Sequence, residues 1–590
     1  MPIRQSAYYR DDDLRAQANA GGENYWPTYT AEICDQLGLK AVPWQRPDWL
    51  AELAQTAVLI LPDLPADYLT AEEQVALREW VQAGGLLIGF ATGGLDDLFG
   101  IEIEDSLPQA PDAFSLVAVL RFVEPELARP LLPPAEVDTP VPVASPVQLL
   151  RAAEDCREVL RLVSLTGEDL RRPAVTLREV GQGQALYCAF DVAHSVWAMH
   201  HGRPITGDRD GDGKLRMSDA MILQPFSTGL PYADLLVMVL RNVIARRGVP
   251  FLYALPPLPD SGAVPDALFH WGGDDEGAAG QQIPASDFMR ELGLPYHFNI
   301  MPDATGKFAL SQEEFARIKA NGHEPSLHFN FIEGCKHPYA FTREDIHRQV
   351  GWYRQAFSET PVCSVFHWTT WTGWSEPAVW MAECGLLSDN SRIHQPSPPT
   401  NPINLVGFGF GTSYPFHFYH DWRENNQRIR FLGVPITAYE PGYWRDTEVL
   451  DTRPFQRAID LACRWHLTMN MFFHPVCIYG FPQCREAIRW GLAALAEQGV
   501  VALHMGNDEL THWWLARSDT RLTAAEEGGV LHCEVECPWA SGCVLQLYWP
   551  AEGVTVTVDG EPAEGLLREE WGGRWLYVAV PAGSHRVELK

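Results

Sequence analysis

Positive charge is scarce in this 590-residue chain: 45 Lys and Arg stand against 76 Asp and Glu, a formal net charge of −31. So acidic a surface repels phosphate backbones, and no basic cluster offsets it, which argues against nucleic-acid binding. Long apolar runs are missing too. None approaches the ~20 residues of a membrane-spanning helix, so no membrane partner is expected. The N-terminus, Met1-Pro2-Ile3-Arg4-Gln5-Ser6, lacks the apolar core of a secretory signal. The expected location is the cytoplasm, or outside the cell if a leader has been removed. The 12 cysteines show no repeated close spacing. Cys533, Cys537 and Cys543 cluster in strand-like sequence and read as buried free thiols rather than metal ligands. Internal repeats and low-complexity tails are absent.

What is present describes a globular protein too long for one core. Hydrophobic residues make up 46% and charged residues 21%, ordinary values for such a protein. The fold expected is α/β and multidomain. Residues 1–250 read as a doubly wound, flavodoxin-like parallel sheet. Ala57 to Pro62 is an apolar strand; Thr70 caps a helix with Glu73 as its capping-box partner; Gly84-Gly85 ends that helix; Leu86 to Phe90 is the next strand. Residues 250–265, rich in Pro, read as a linker. Residues 262–515 alternate strands and helices as a (β/α) barrel does, with helical stretches at 343–357, 377–384, 454–465 and 484–498. Residues 521–590 read as a small β-sandwich with a hairpin turn at Asp559-Gly560.

The segment 208–219 matches the EF-hand type of calcium loop. Asp208, Asp210, Asp212 and Asp219 fall at positions 1, 3, 5 and 12, Gly213 at position 6 allows the sharp turn, and Lys214 at position 7 offers its carbonyl. The segment before it is not helical, so calcium here is expected to be structural.

The chemistry concentrates at Phe269-His270-Trp271-Gly272-Gly273-Asp274-Asp275-Glu276, an apolar strand running into carboxylates. Strand tips at the catalytic face of a barrel look like this. Adjacent residues point different ways, so one Asp can bind a metal while the other moves a proton. Three later segments supply partners: Gly322-His323-Glu324-Pro325-Ser326-Leu327-His328, then Phe366-His367-Trp368, then Phe472-Phe473-His474.

In that order these motifs resemble the polysaccharide deacetylase-like superfamily, carbohydrate esterase family 4 and its relatives. The resemblance implies that Asp274 is the catalytic base, Asp275 and His328 bind the metal, and His474 is the general acid. The family's second metal His falls at Ile332, which cannot ligate; His337 is the substitute expected from the lengthened loop. His367-Trp368 stands where the family often has an Arg. The implied cofactor is zinc or another divalent transition metal, since imidazole with carboxylate suits zinc. Residues 1–250 resemble glutamine-amidotransferase-like domains, but Ala91 occupies the nucleophile's place in Gly89-Phe90-Ala91-Thr92-Gly93, so no amidotransferase chemistry is expected.

Aromatics make up 11% of the chain, with 21 Trp. Trp271, Trp368 and Trp371 are candidate sugar platforms, and a carbohydrate is the expected substrate or ligand; an oligomer is compatible with the sequence. Three functions stay open: metal-dependent removal of an acyl group, chiefly N-acetyl, from a carbohydrate; hydrolysis of another C–N bond; or carbohydrate binding by a degenerate site.

Overall fold

The structure is a computed structural model. It describes residues 4–46, 49–224, 226, 228–335, 340–396, 406–443 and 450–590. The chain folds as a mixed α/β protein with a curled parallel half-barrel sheet and additional sheets.

The N-terminal sheet has nine strands and two halves. Gln5–Tyr9, Val42–Trp44, Thr56–Leu61, Leu86–Phe90 and Gly183–Cys188 run parallel. The strand-helix-strand rhythm of residues 56–90 produces that half. Thr70 and Glu73 form the expected reciprocal cap on the helix Ala71–Gln82. The other half, through Asp169–Val180, Cys156–Val163, Ala118–Phe122 and Val141–Val143, is antiparallel. A wholly parallel, doubly wound sheet is therefore corrected. Val180 and Gly183 face each other across a tight turn, a connection too short for the crossover that parallel strands require.

The second large sheet has a parallel core: Ala267–Asp274, His297–Ile300, Glu324–Phe329, Cys363–Phe366, Ser388–Arg392 and Arg428–Pro435, in that spatial order. Thr468–Phe472 pairs with Ala267–Asp274 on its other side, and Ala502–Met505 pairs with the start of that strand on the side of His297–Ile300. The run that leaves Arg428–Pro435 continues as Ala438–Tyr439 and pairs with Thr468–Phe472. That pairing curls the sheet back toward its first strand. Strands buried on both faces read as continuous apolar runs, and Ala267–Asp274 is buried at every position. Helices Arg343–Phe357, Glu376–Glu383, Arg453–Trp465 and Pro482–Glu497 lie within a residue or two of the stretches read from the sequence.

The C-terminal residues form two antiparallel sheets. Asp559 and Gly560 take positive φ in the hairpin between Val556–Val558 and Glu561–Ala563, as a tight hairpin turn needs. The Pro-rich segment is not only a linker. Its Phe251–Leu252 pairs with Cys543–Tyr548 and adds an edge strand to the C-terminal sheet. Cys533, Cys537 and Cys543 are buried free thiols. Among the described residues no helix is long and apolar enough to cross a membrane.

Candidate functional site

The cluster forms at the C-terminal ends of the half-barrel strands. Gly273 lets the first strand reach it: a Cβ there would overlap the Phe473 carbonyl oxygen, and the Tyr296 hydroxyl donates to that same oxygen. Asp274 ends the strand, and one of its carboxylate oxygens accepts from Asn299 Nδ2 at 2.9 Å. Its other oxygen lies 3.6 Å from His328 Nε2. His328 is fully buried on Glu324–Phe329. Its Nε2 is 3.1 Å from His367 Nδ1, contributed from just beyond Cys363–Phe366.

Glu276 completes the group. It has φ +56°, in the left-handed region that non-glycine residues seldom occupy. This turn carries its carboxylate back over the strand end, where one oxygen lies 3.5 Å from His367 Nδ1 and the other 3.4 Å from His474 Nε2. His474, just past Thr468–Phe472, pairs through Nδ1 with Glu440 at 2.9 Å. The structure thus brings together Asp274, His328 and His474, all named from the sequence, and adds Glu276, His367, Glu440 and Asn299.

The other expectations fare differently. Asp275 is fully buried but turned to the backbone: Oδ1 accepts from the Gly277 and Met301 amides at 2.9 Å each, and Oδ2 from Gln282 Nε2 at 2.9 Å. These bonds tie the carboxylate to the turn that presents Glu276. Ile332 lies in the turn after the His328 strand, its amide bonded to Asn330; the second imidazole beside His328 comes from His367. His337 lies outside the described residues. Trp271 has no exposed surface; it stacks on Phe473 and its indole donates to His504 Nδ1. It belongs to the core, not to a sugar platform. Trp371 is also buried, under the Arg392 guanidinium. Trp368 is 42% exposed.

Electrostatics divide the cluster. Burial, reinforced by the neighbouring His367 charge, pushes His328 well below the ordinary imidazole value, and burial lowers His367 too. Both shifts favour the neutral imidazole, the form that binds metals. Burial works to lower His474, but its bonds to Glu276 and Glu440 outweigh that and raise it to about 10. Burial works to raise Glu276; its bond to His474 and the nearby His328 and His367 hold it at about 2. Burial pushes Asp274 well above the usual carboxylate range, and Asp275 up to about 6.

Ligand atoms of Glu276, His328 and His367 lie within 4.8 Å of one another. Two ligands about 2.0–2.1 Å from a tetrahedral ion sit roughly 3.3 Å apart. The 3.1 Å His328–His367 and 3.5 Å His367–Glu276 separations bracket that spacing. Two neutral imidazoles and one carboxylate therefore fit a divalent transition ion.

The 208–219 loop is closed by bonds from its own carboxylates. Asp208 accepts from the Gly211 and Gly213 amides, Asp210 from the Asp212 amide and the Ser218 hydroxyl, and Asp219 from the Arg209 and Arg216 amides. Asp212 accepts from the Lys214 amide and pairs with Arg216 at 2.6 Å. The loop rests against the half-barrel: bridges join Ile205 to Gly373 and Arg216 to Thr370. The Lys214 ammonium lies 4.5 Å over the Trp368 ring. The turn it packs on follows His367 directly.

No family model matches the chain, and no curated protein matches it. Similar solved structures include Agd3, described as a novel carbohydrate deacetylase, at 11% identity over 100% of this chain and 99% of that one, TM-score 0.41. Puue allantoinase matches at 12% identity over 44% of this chain and 94% of that one, TM-score 0.32. A β-galactosidase from Rahnella sp. R3 matches at 17% identity over 32% of this chain, TM-score 0.25; the chain spans only 28% of that enzyme. At such scores these likenesses carry no argument about activity.

Proposed function

We propose that the chain is a metal-dependent hydrolase that removes acyl groups, chiefly N-acetyl, from a carbohydrate. The observation that carries this reading is one cluster holding three metal-type donors, Glu276, His328 and His367, flanked by Asp274 and His474. Zinc or a similar divalent ion is the proposed cofactor. When bound, it supplies Lewis acidity toward an acyl carbonyl. Asp274 takes the proton of the attacking water, and Asn299 holds its carboxylate in place. His474 gives a proton to the departing amine. Glu440 fixes the His474 ring so that Nε2, facing Glu276, is the nitrogen turned toward the reacting group. Trp368 offers an exposed aromatic face at the rim.

This assignment revises the metal set read from the sequence, putting Glu276 and His367 in place of Asp275 and His337. We also propose the division into units 1–250, 262–515 and 521–590, with calcium held by Asp208, Asp210, Asp212, Asp219 and the Lys214 carbonyl. The contacts of that loop on the turn after His367 make it a brace for the site wall. Release of acetate from N-acetylated oligosaccharides tests the activity. It should be abolished by a chelator, restored by zinc, and reduced ~10²–10⁴-fold in Asp274→Asn. Unchanged turnover in that variant contradicts the reading.

A further inference from the structure

A cavity of about 1080 Å³ lies away from the Asp274 cluster, between the N-terminal sheet and the half-barrel. It opens above Ala91, which follows the strand Leu86–Phe90 at φ +52°. None of the residues that line it belongs to the metal-type cluster. At the upper end of the ~300–1,000 Å³ range of small-molecule sites, it has room for several sugar rings.

Its walls carry one sign of charge. Glu23, Asp63, Asp112, Asp191, Glu376 and Asp421 face it, against the single guanidinium of Arg423. Several of these acids are already engaged: Asp112 with Arg203, Asp421 with Arg423, Asp191 with the amides that open the helix Val192–His201. Asp63 and Glu23 are different. Both are exposed to the cavity, and among the described residues neither side chain has a hydrogen-bond or ion-pair partner.

The remaining surface is aromatic, with Trp26, Phe114, Trp374 and Trp422 around the same space. Trp26 is fixed by stacking on His194 at 3.9 Å and by edge contacts to Phe114 and Trp374. Rigid aromatic faces beside free carboxylates attract a cation with an apolar body. An ammonium on a pyranose ring has that form: its C–H face packs on an aromatic ring, and its charge meets Asp63 and Glu23.

We propose that this cavity is a second binding site, for a saccharide that carries protonated amines. The inference is independent of the reaction assigned to the half-barrel. Calorimetric titration of the full-length protein with a glucosamine tetramer and with its fully N-acetylated counterpart tests it. The amine-bearing tetramer should bind at least tenfold more tightly. Asp63→Asn should weaken it about tenfold or more, Glu23→Gln should weaken it too, and His328→Ala in the half-barrel should leave it unchanged. Absence of binding, equal binding of both tetramers, or loss in His328→Ala but not in Asp63→Asn or Glu23→Gln overturns the proposal. Binding of either tetramer at the half-barrel is the part that Asp63→Asn and Glu23→Gln leave unchanged, and it is subtracted before the two tetramers are compared.

Discussion

Replacing Asp275 and Glu276 in turn separates a carboxylate that shapes the site from one proposed to hold the metal. Asp275 accepts from three donors, two of them backbone amides. In Asp275→Ala all three lose their acceptor, at ~1–3 kcal/mol for each buried donor, or roughly 6 kcal/mol together. Part of that returns, because a carboxyl held at about 6 is costly to keep ionised at pH 7. A rise of about 2 units is worth about 3 kcal/mol. The net expectation is a loss of about 3 kcal/mol. Glu276→Ala removes the proposed ligand and the carboxylate beside His474 Nε2, and should cost less stability than Asp275→Ala because Glu276 is partly exposed and Glu440 still pairs with His474. Even outer-shell partners of a metal site cost ~10–100-fold in affinity when lost, so removal of a direct ligand should exceed 100-fold. The assay is zinc competition against a chromophoric chelator, beside thermal unfolding of the metal-free proteins. Asp275→Asn, which keeps the shape, should bind zinc within about threefold of wild type. If Asp275→Asn loses zinc and Glu276→Ala keeps it, the ligand assignment is refuted.

Other expectations follow from the same contacts. Glu440→Gln should slow turnover of substrates with poor amine leaving groups more than of activated esters, since Glu440 positions the ring that donates the proton; equal slowing of both contradicts this role. Asp234 is fully buried and raised to about 7 by burial. Being raised, it contributes stability that is complete below the ordinary carboxylate value and lost as pH rises through 7, on the order of 4 kcal/mol. Asp234→Asn should flatten stability between pH 4 and 7, as read by denaturant unfolding, and an unchanged profile would count against it. Calcium should raise the unfolding temperature of wild type but not of Asp210→Ala, by about 2.7 kcal/mol of stabilisation at 100 times the dissociation constant; identical midpoints with calcium and chelator would reduce the loop to an acidic turn.

Much of the frame could be read from the chain because its signals are local. Thr70 and Glu73 sit three residues apart and cap the helix they announce. Asp274, His328 and His474 each close an apolar strand, and parallel strands carry their C-terminal ends to one face. What was missed depends on geometry that spacing does not encode. Glu276 reaches the cluster only because its backbone turns to positive φ; the cue was a third carboxylate in the run, followed by Gly277. His367 was visible as a strand end but was read as a lost Arg, not as a donor. Glu440 meets His474 across 34 residues of chain, and no local pattern joins them. Trp271 was mistaken for a surface ring because its strand is buried on both faces, which leaves no solvent side for it to occupy. The antiparallel half of the N-terminal sheet was lost for a similar reason: strand length and polarity do not reveal direction until the turn at Gly181 and Gln182 is recognised.

The most direct test of the central claim is anomalous scattering at the zinc edge from crystals grown with zinc. The account predicts one peak about 2.0–2.2 Å from ligand atoms of Glu276, His328 and His367, absent in crystals of His328→Ala. A peak seated on Asp275, or no peak among these three side chains, would contradict it.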